Sequence, residues 1–398
     1  MSFGGLNMNI FENTSDRQNT KSVKWDNLEA IFGSNDLIPL WVADMDFPSP
    51  APVIEALTKR AEHGIFGYTL VDQDVTDAVT GWLKRRFKWR IPEQWLTFSP
   101  GVVTTIDMAI QALTEPGDSI VIQTPVYTPF FSSIRNHNRT LVENPLMLKD
   151  GKYEIDFADL DEKLKDAEVL LFCSPHNPVG RVWRTDELER VASLCQKHGV
   201  LLFSDEIHCD LVYKEHKHTP IASLPGGISK RTITFMSPSK TFNLAGLQAS
   251  FAITENAAMK RKLEHTMLIQ GHKNLNTMGI TAMEAAFNHG EPWLEELLKV
   301  LEQNRDFTIE QFKTHLPKVT IIEPEGTYLL WLDCSALGLN SEELKKFMIE
   351  EARVGLNAGT AYGKSGEQFM RINIACPLPT LKEGVKRIIE AAQKADIV

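Results

Sequence analysis

The chain has 398 residues, 43% hydrophobic and 24% charged, which is enough to bury a large core and too much for one core of ordinary size. Its 42 Lys and Arg against 52 Asp and Glu leave a formal charge of −10. That acidic balance argues against broad binding to nucleic acid or to a membrane surface.

The first residues, Met1-Ser2-Phe3-Gly4-Gly5 and a polar stretch, carry neither a basic n-region nor an apolar h-region. No run is apolar for long enough to span a bilayer, so a cytoplasmic location is expected. Ser49 is placed to cap a helix with Pro50 at its first position and Gly64 just past its end. Beyond it, short apolar runs alternate with helical patterns, the order of an α/β sheet. Strands are predicted at Ser119–Gln123, Val169–Cys173, Val200–Ser204, Thr232–Met236 and Ala249–Thr254, apolar almost throughout as strands covered on both faces are. Thr185 can cap a helix whose stripe is Leu188, Val191, Ala192 and Cys195, with Gly199 after its last turn.

From Pro292 to about His315 a long helix is predicted, with Leu294, Leu297, Leu298 and Leu301 on one stripe. After it come runs at Thr320–Ile322, Thr327–Asp333 and Phe369–Ile374, a helix at Ser341–Ala352 and a last helix from about Thr380. The predicted organisation is a large domain over 46–290, with 1–45 and 291–398 forming a smaller α+β domain. The five cysteines are odd in number and none forms C-x-x-C, so neither a disulfide framework nor a zinc site is expected, and Cys173 and Cys195 read as buried thiols. His216 and His218 flank Lys217 in a polar stretch and read as a solvated loop, with too few ligands for a metal.

Open α/β sheets bind ligands outside the carboxyl ends of their strands. After the predicted strands come Thr124-Pro125-Val126-Tyr127, then Ser174-Pro175-His176-Asn177-Pro178-Val179-Gly180, then Asp205-Glu206-Ile207-His208, then Ser237-Pro238-Ser239-Lys240-Thr241-Phe242. One sheet edge thereby collects an aromatic, an amide, a carboxylate, an imidazole, hydroxyls and a lysine, none of which a core needs. Each residue has a plain alternative. Lys240 is either a surface lysine or a partly desolvated amine able to form an imine with a carbonyl. Asp205 is a helix cap, an ion-pair member, or the partner of a cationic ring nitrogen. Asn177 sits in an Asn-Pro turn or reaches a ring oxygen, and Tyr127 is core or covers a flat ring. Ser99-Pro100-Gly101-Val102-Val103 opens a helix whose first N–H groups could receive an anion, as many helix starts could. Arg371, in Phe369-Met370-Arg371-Ile372-Asn373, is an edge-strand surface residue or a bidentate carboxylate anchor. Neither G-x-G-x-x-G nor a Walker motif occurs, which disfavours nicotinamide and nucleotide chemistry.

Taken in order, S-P-x-N-P-x-G, S-D-E, S-P-S-K-T-F and the late arginine resemble the fold-type I pyridoxal-phosphate enzymes, the aspartate aminotransferase superfamily, over nearly the whole chain. The resemblance implies a mostly parallel central sheet in a large domain and a smaller α+β domain. It implies pyridoxal 5′-phosphate on Lys240 as the Schiff-base lysine, with Asp205 at the pyridine nitrogen, Asn177 at the ring hydroxyl and Tyr127 on the ring. Gly101, Val102, Val103, Ser237 and Ser239 would cradle the phosphate, Tyr68 would serve the phosphate of a second subunit, and Arg371 would bind the α-carboxylate of an amino acid. It further implies a homodimer with shared sites, and neither a metal, a nucleic acid nor a membrane as partner.

Two positions depart from the superfamily. His208, a further expected cofactor contact, replaces the tyrosine three residues after the aspartate, and Gln248 replaces the phosphate-binding arginine eight residues after the lysine. With Trp41-Val42-Ala43-Asp44-Met45-Asp46-Phe47, these departures resemble the MalY/PatB-type subgroup of cystathionine β-lyases. The implied reaction is β-elimination of cystathionine or another cysteine S-conjugate to a thiol such as homocysteine, pyruvate and ammonia. An aminotransferase of the same fold and a cofactor-binding regulator of another protein are the alternatives.

Overall fold

A computed structural model describes residues 9–12, 16–272 and 274–397. The opening residues Met1 to Gly5, on which the absence of a leader was argued, lie outside them. The central sheet has seven strands, β1 (Leu96–Ser99), β2 (Ser119–Ile122), β3 (Thr140–Glu143), β4 (Val169–Cys173), β5 (Leu201–Asp205), β6 (Thr232–Met236) and β7 (Ser250–Ile253), in the order β1-β7-β6-β5-β4-β2-β3. Pairings among β3, β2, β4, β5 and β6 are parallel, and β7 runs antiparallel to both β6 and β1. The sheet is mostly parallel, as expected.

Alternation along β4 explains its apolar run. Val169, Leu171 and Cys173 pack on one face with Phe203, Phe235 and the helix Val102–Leu113, while Leu170 and Phe172 pack on the other with Trp183 and the helix Thr185–His198. The predicted stripe Leu188, Val191, Ala192 and Cys195 is that second helix's buried face, and Gly199 ends it at φ 74°. All five cysteines are free and buried.

Strand limits moved by a residue or two, and β1 and β3 were not predicted. Each is four residues long with mixed polarity (Leu-Thr-Phe-Ser and Thr-Leu-Val-Glu), too short and too polar for a period to register. Ser49 is not the cap of its helix: the helix is Ala51–His63 with Pro50 before it, and the Ser49 hydroxyl instead donates to the Asn243 carbonyl at 3.2 Å. Gly64 ends that helix at φ 75°, as predicted.

A second sheet follows the helix Glu291–His315. Its strands β8 (Thr320–Ile322), β9 (Leu329–Asp333), β10 (Asn357–Ala358) and β11 (Phe369–Asn373) run antiparallel in the order β8-β9-β11-β10. Ile38–Pro39 pairs with Val354–Gly355, so the N-terminal segment joins this part of the chain. The following stretch, 41–47, is tied down by charge. Arg17 reaches Asp44 at 2.7 Å and Asp46 at 2.8 Å, and the fully buried Lys24 reaches Asp46 at 2.7 Å. Among the described residues, no helix is long and apolar enough to cross a membrane.

Arg181 links the loop after β4 to the approach to β9. It is buried, with its guanidinium 2.7 Å from Glu187, 2.9 Å from Glu325 and over the Trp183 ring at 4.6 Å. Lys152 shares Glu325 at 2.5 Å. Removing one partner of such a cluster leaves buried charge without compensation. Arg181→Met is therefore expected to lower unfolding free energy by about 3–5 kcal/mol, read from urea titrations with the slope unchanged.

Candidate active site

At the carboxyl ends of the parallel strands lies a cavity of about 480 Å³. β6 runs into Ser237, which opens the single helical turn Pro238–Thr241. The Ser237 hydroxyl accepts from the Ser239 N–H at 3.0 Å and donates to the Ala249 carbonyl at 2.8 Å, so its hydrogen-bonding capacity is largely committed to fixing the turn. Lys240 projects from this turn into the cavity, and its amine donates to the Ala43 carbonyl at 2.7 Å. Tyr328 donates to the same carbonyl at 2.9 Å. Desolvation, reinforced by repulsion from Arg371 and opposed by Asp44 and Asp205, lowers the Lys240 ammonium to about 8. An amine in that range keeps a reactive neutral fraction near neutral pH.

Asp205 is the last residue of β5 and is buried. It accepts the Ile207 N–H at 3.1 Å, and burial outweighs that bond and the attraction of Lys240, raising its carboxyl to about 7. Such a carboxylate would be stabilised by a cationic N–H delivered into the cavity. His208 lines the same cavity, buried and pushed down to about 3, first by desolvation. It is therefore a neutral imidazole, and its Nδ1 has no hydrogen-bond partner among the described residues.

Arg371 settles an alternative that the sequence left open. β11 pairs with β9 on one side and β10 on the other, so it is not an edge strand. The guanidinium is buried, donating to the Asn177 side-chain oxygen at 3.1 Å and to the Trp41 carbonyl at 2.7 Å. Tyr362 lies 5.2 Å from it at the ring centroid, and Nε has no partner among the described residues. Because the Asn177 oxygen holds Arg371, the Asn177 NH₂ is the part of the amide left to face a ligand.

Gly101, Val102 and Val103 form the start of the twelve-residue helix Val102–Leu113 at the cavity wall, where the first N–H groups lack intrahelical acceptors. Ser239, Tyr127 and Gln248 also line the wall, Gln248 in the left-handed region at φ 49°. The Tyr127 hydroxyl is raised to about 12, first by desolvation, and stays protonated. Every predicted site residue except Tyr68 thus meets at one cavity. Tyr68 is fully exposed, in a segment where Ile65, Phe66 and Leu70 are exposed as well.

Sequence reasoning did not single out Asn357, Tyr362 and Tyr328, or the backbone carbonyls of Trp41 and Ala43. The carbonyls leave no trace in residue type. Asn357 and Tyr362 offered one faint signal, an amide and an aromatic within a short stretch ahead of β11.

The donor set suits an aldehyde cofactor with a basic ring nitrogen and a phosphate: a low-pKa amine, an under-compensated buried carboxylate, an aromatic face and a helix N-terminus. Comparison with known proteins agrees in family. The family described as aminotransferase class I and II matches residues 35–388. The chain is 48% identical over 380 residues to cystathionine beta-lyase PatB of Bacillus subtilis, covering 95% of this chain and 98% of that one. It is 33% identical over 387 residues to protein MalY of Escherichia coli, covering 96% and 98%. Cystalysin of Treponema denticola, whose crystal structure contains a pyridoxal 5′-phosphate cofactor, superposes with a TM-score of 0.94 at 36% identity over 97% of this chain and 99% of that one. On its sequence, its fold and the residues gathered at its cavity, the chain belongs to the class I and II aminotransferase family, in the branch that holds PatB and MalY.

Proposed function

We propose that this protein is a pyridoxal-phosphate-dependent carbon–sulfur β-lyase that converts cystathionine or a related cysteine S-conjugate to a thiol, pyruvate and ammonia. The observation that carries the reading is the shared cavity of Lys240, Asp205 and Arg371, in which burial moves an amine and a carboxylate toward neutral pH from opposite sides. The relatives named as cystathionine beta-lyases support it, as does the C–S lyase of Staphylococcus hominis, of TM-score 0.89 and 31% identity over 96% of this chain and 97% of that one.

Lys240 would hold the aldehyde, Asp205 the ring nitrogen, Asn177 and His208 the ring's polar edge, and Tyr127 its face. Gly101, Val102, Val103 and Ser239 would hold the phosphate, with Ser237 fixing the turn beneath it. When bound, the cofactor supplies an electron sink for the charge left at Cα. Arg371 orients the substrate through its α-carboxylate, its two other bonds fixing the guanidinium plane. The Lys240 amine would be set free when the substrate's amine takes its place on the aldehyde, and, neutral in part because it is desolvated, would take the proton from Cα. The Cβ–S bond then breaks, the sulfur departs with the bonding pair as a thiolate, and water completes release of pyruvate and ammonia.

Further proposals follow the same reading. The exposed segment from Ile65 to Leu70 would pack on a second copy, carrying Tyr68 to that copy's phosphate in a homodimer. The chain would divide into a large domain over 46–290 and a small one from 1–45 and 291–398, supported by the pairing of Ile38–Pro39 with Val354–Gly355. A cytoplasmic location is proposed as well.

Incubation of the loaded enzyme with cystathionine tests the reading. Stoichiometric pyruvate and ammonia, with no keto acid added, are expected. Strict dependence on a keto acid, with amino transfer to it, would establish an aminotransferase instead.

A further inference from the structure

Glu206 and Asp210, in the turn after β5, are not among the residues lining the cavity and belong to a second buried polar cluster. Glu206 is fully buried, accepting from the Ser204 hydroxyl at 2.8 Å and the Ile221 N–H at 3.2 Å and pairing with His218 at 2.8 Å. His218, read from the sequence as solvated, is buried there against the Phe87 ring. Asp210 is buried too, and one of its oxygens accepts from the Thr241 hydroxyl at 2.9 Å and the Trp82 indole N–H at 3.2 Å. Its other oxygen has no hydrogen-bond partner among the described residues and lies 3.6 Å from Arg86, which Glu291 and Glu295 share.

Thr241 follows Lys240 in the chain and ends the helical turn that carries it. A turn of four residues has few internal bonds to hold it: Phe242 N–H to Pro238 at 2.9 Å and Leu244 N–H to Ser239 at 2.9 Å. A threonine at a helical position commonly bonds back to a carbonyl of the preceding turn. The Thr241 hydroxyl instead spans 31 residues to Asp210. The turn is thus pinned at its start by Ser237 on the Ala249 carbonyl and at its end by Thr241 on a buried carboxylate. Packing alone does not call for that carboxylate, since an apolar side chain would fill the space without the cost of burying charge. Desolvation raises the Asp210 carboxyl, opposed first by Arg86.

We propose that Asp210 is a positioning residue for Lys240: anchored by Trp82 and Arg86, it holds the Thr241 hydroxyl and so fixes the turn that aims the Lys240 amine into the cavity. The proposal rests on Lys240 being the covalent anchor of the proposed function. Misaiming a reacting group by a fraction of an ångström to an ångström slows reaction far more than it weakens binding. The predicted signature is therefore a fall in kcat with little change in KM.

The test uses full-length Thr241→Val, which keeps volume and removes the donor, with Thr241→Ser as the conservative rescue and Asp210→Asn as a second variant. Two quantities are read: kcat and KM for thiol release, and the rate at which pyridoxal phosphate added to cofactor-free protein becomes fixable to Lys240 by borohydride. Thr241→Val is expected to lower kcat and the attachment rate each by about tenfold with KM within about twofold, and Thr241→Ser to recover both to within about threefold of wild type. A Thr241→Val enzyme that melts earlier yet keeps both rates within about twofold, measured well below its melting temperature, overturns the proposal and leaves the proposed function standing. If borohydride fixes nothing to Lys240 in the wild-type protein, the proposed function fails and this inference with it.

Discussion

Lys240→Ala is expected to abolish pyruvate formation, with turnover reduced about 10⁴-fold or more, and to leave the cofactor removable by gel filtration. Two losses coincide at this position. The amine is the one nucleophile of its kind among the residues lining the cavity, whose other fixed cation, Arg371, is a guanidinium that does not deprotonate in proteins. It is also the group placed to exchange a proton, since burial and Arg371 bring it to about 8 and leave it partly neutral at working pH. An alanine there also removes the donor at 2.7 Å from the Ala43 carbonyl, leaving that oxygen to Tyr328, so the stretch 41–47 is expected to keep its place. The checks are direct: the visible absorbance of the bound cofactor, borohydride fixation followed by peptide mapping, and pyruvate release. Turnover within tenfold of wild type, or label fixed to another lysine, would remove Lys240 from the role and the proposed function with it.

Much of this site was legible in the sequence because its residues violate what their positions call for. Asp205 closes an apolar strand, and Lys240 follows one closely; an α/β sheet brings such strand ends to one edge whatever the loops do. The resemblance to a known family turned that convergence into roles. Arg371 was ambiguous because a three-residue neighbourhood cannot say whether a strand is central. That depended on β10, a two-residue strand with no pattern of its own. The stretch 41–47 that lines part of the cavity was less legible still. Its contribution is made by carbonyl oxygens of Trp41 and Ala43, which any residue type supplies, and their placement depends on the distant Arg17, Lys24 and Asn373. His218 misled for a related reason. Its flanking Glu215, His216 and Lys217 are polar, and only the fold brings it onto Glu206.

Asp205→Asn is expected to show the opposite behaviours of a group kept for function at the expense of stability. The amide cannot carry the charge that would hold a ring nitrogen protonated, and turnover should fall about 10²–10³-fold while the cofactor still attaches to Lys240. For folding the sign reverses. In cofactor-free protein burial raises the Asp205 carboxyl from 3.8 to about 7. Between those values the folded chain keeps a proton that the unfolded chain has lost. The group's favourable contribution is thus fully present below its ordinary range and disappears as pH rises through about 7, beyond which an ionised carboxylate sits in a site that disfavours it. Asparagine has no such dependence. Titrating groups that do not feel Asp205 are common to both proteins and cancel in the difference; Lys240, whose ammonium Asp205 supports, is lowered further in the variant, which adds a change of the same sign toward pH 8. The melting temperature of cofactor-free Asp205→Asn minus that of wild type should therefore climb as pH is raised from 5 to 8, and adding pyridoxal phosphate should shrink it at pH 8, because the ring nitrogen then compensates the wild-type charge. A difference that stays flat across this range, or that the cofactor leaves untouched, would mean that Asp205 is not the buried charge awaiting that partner.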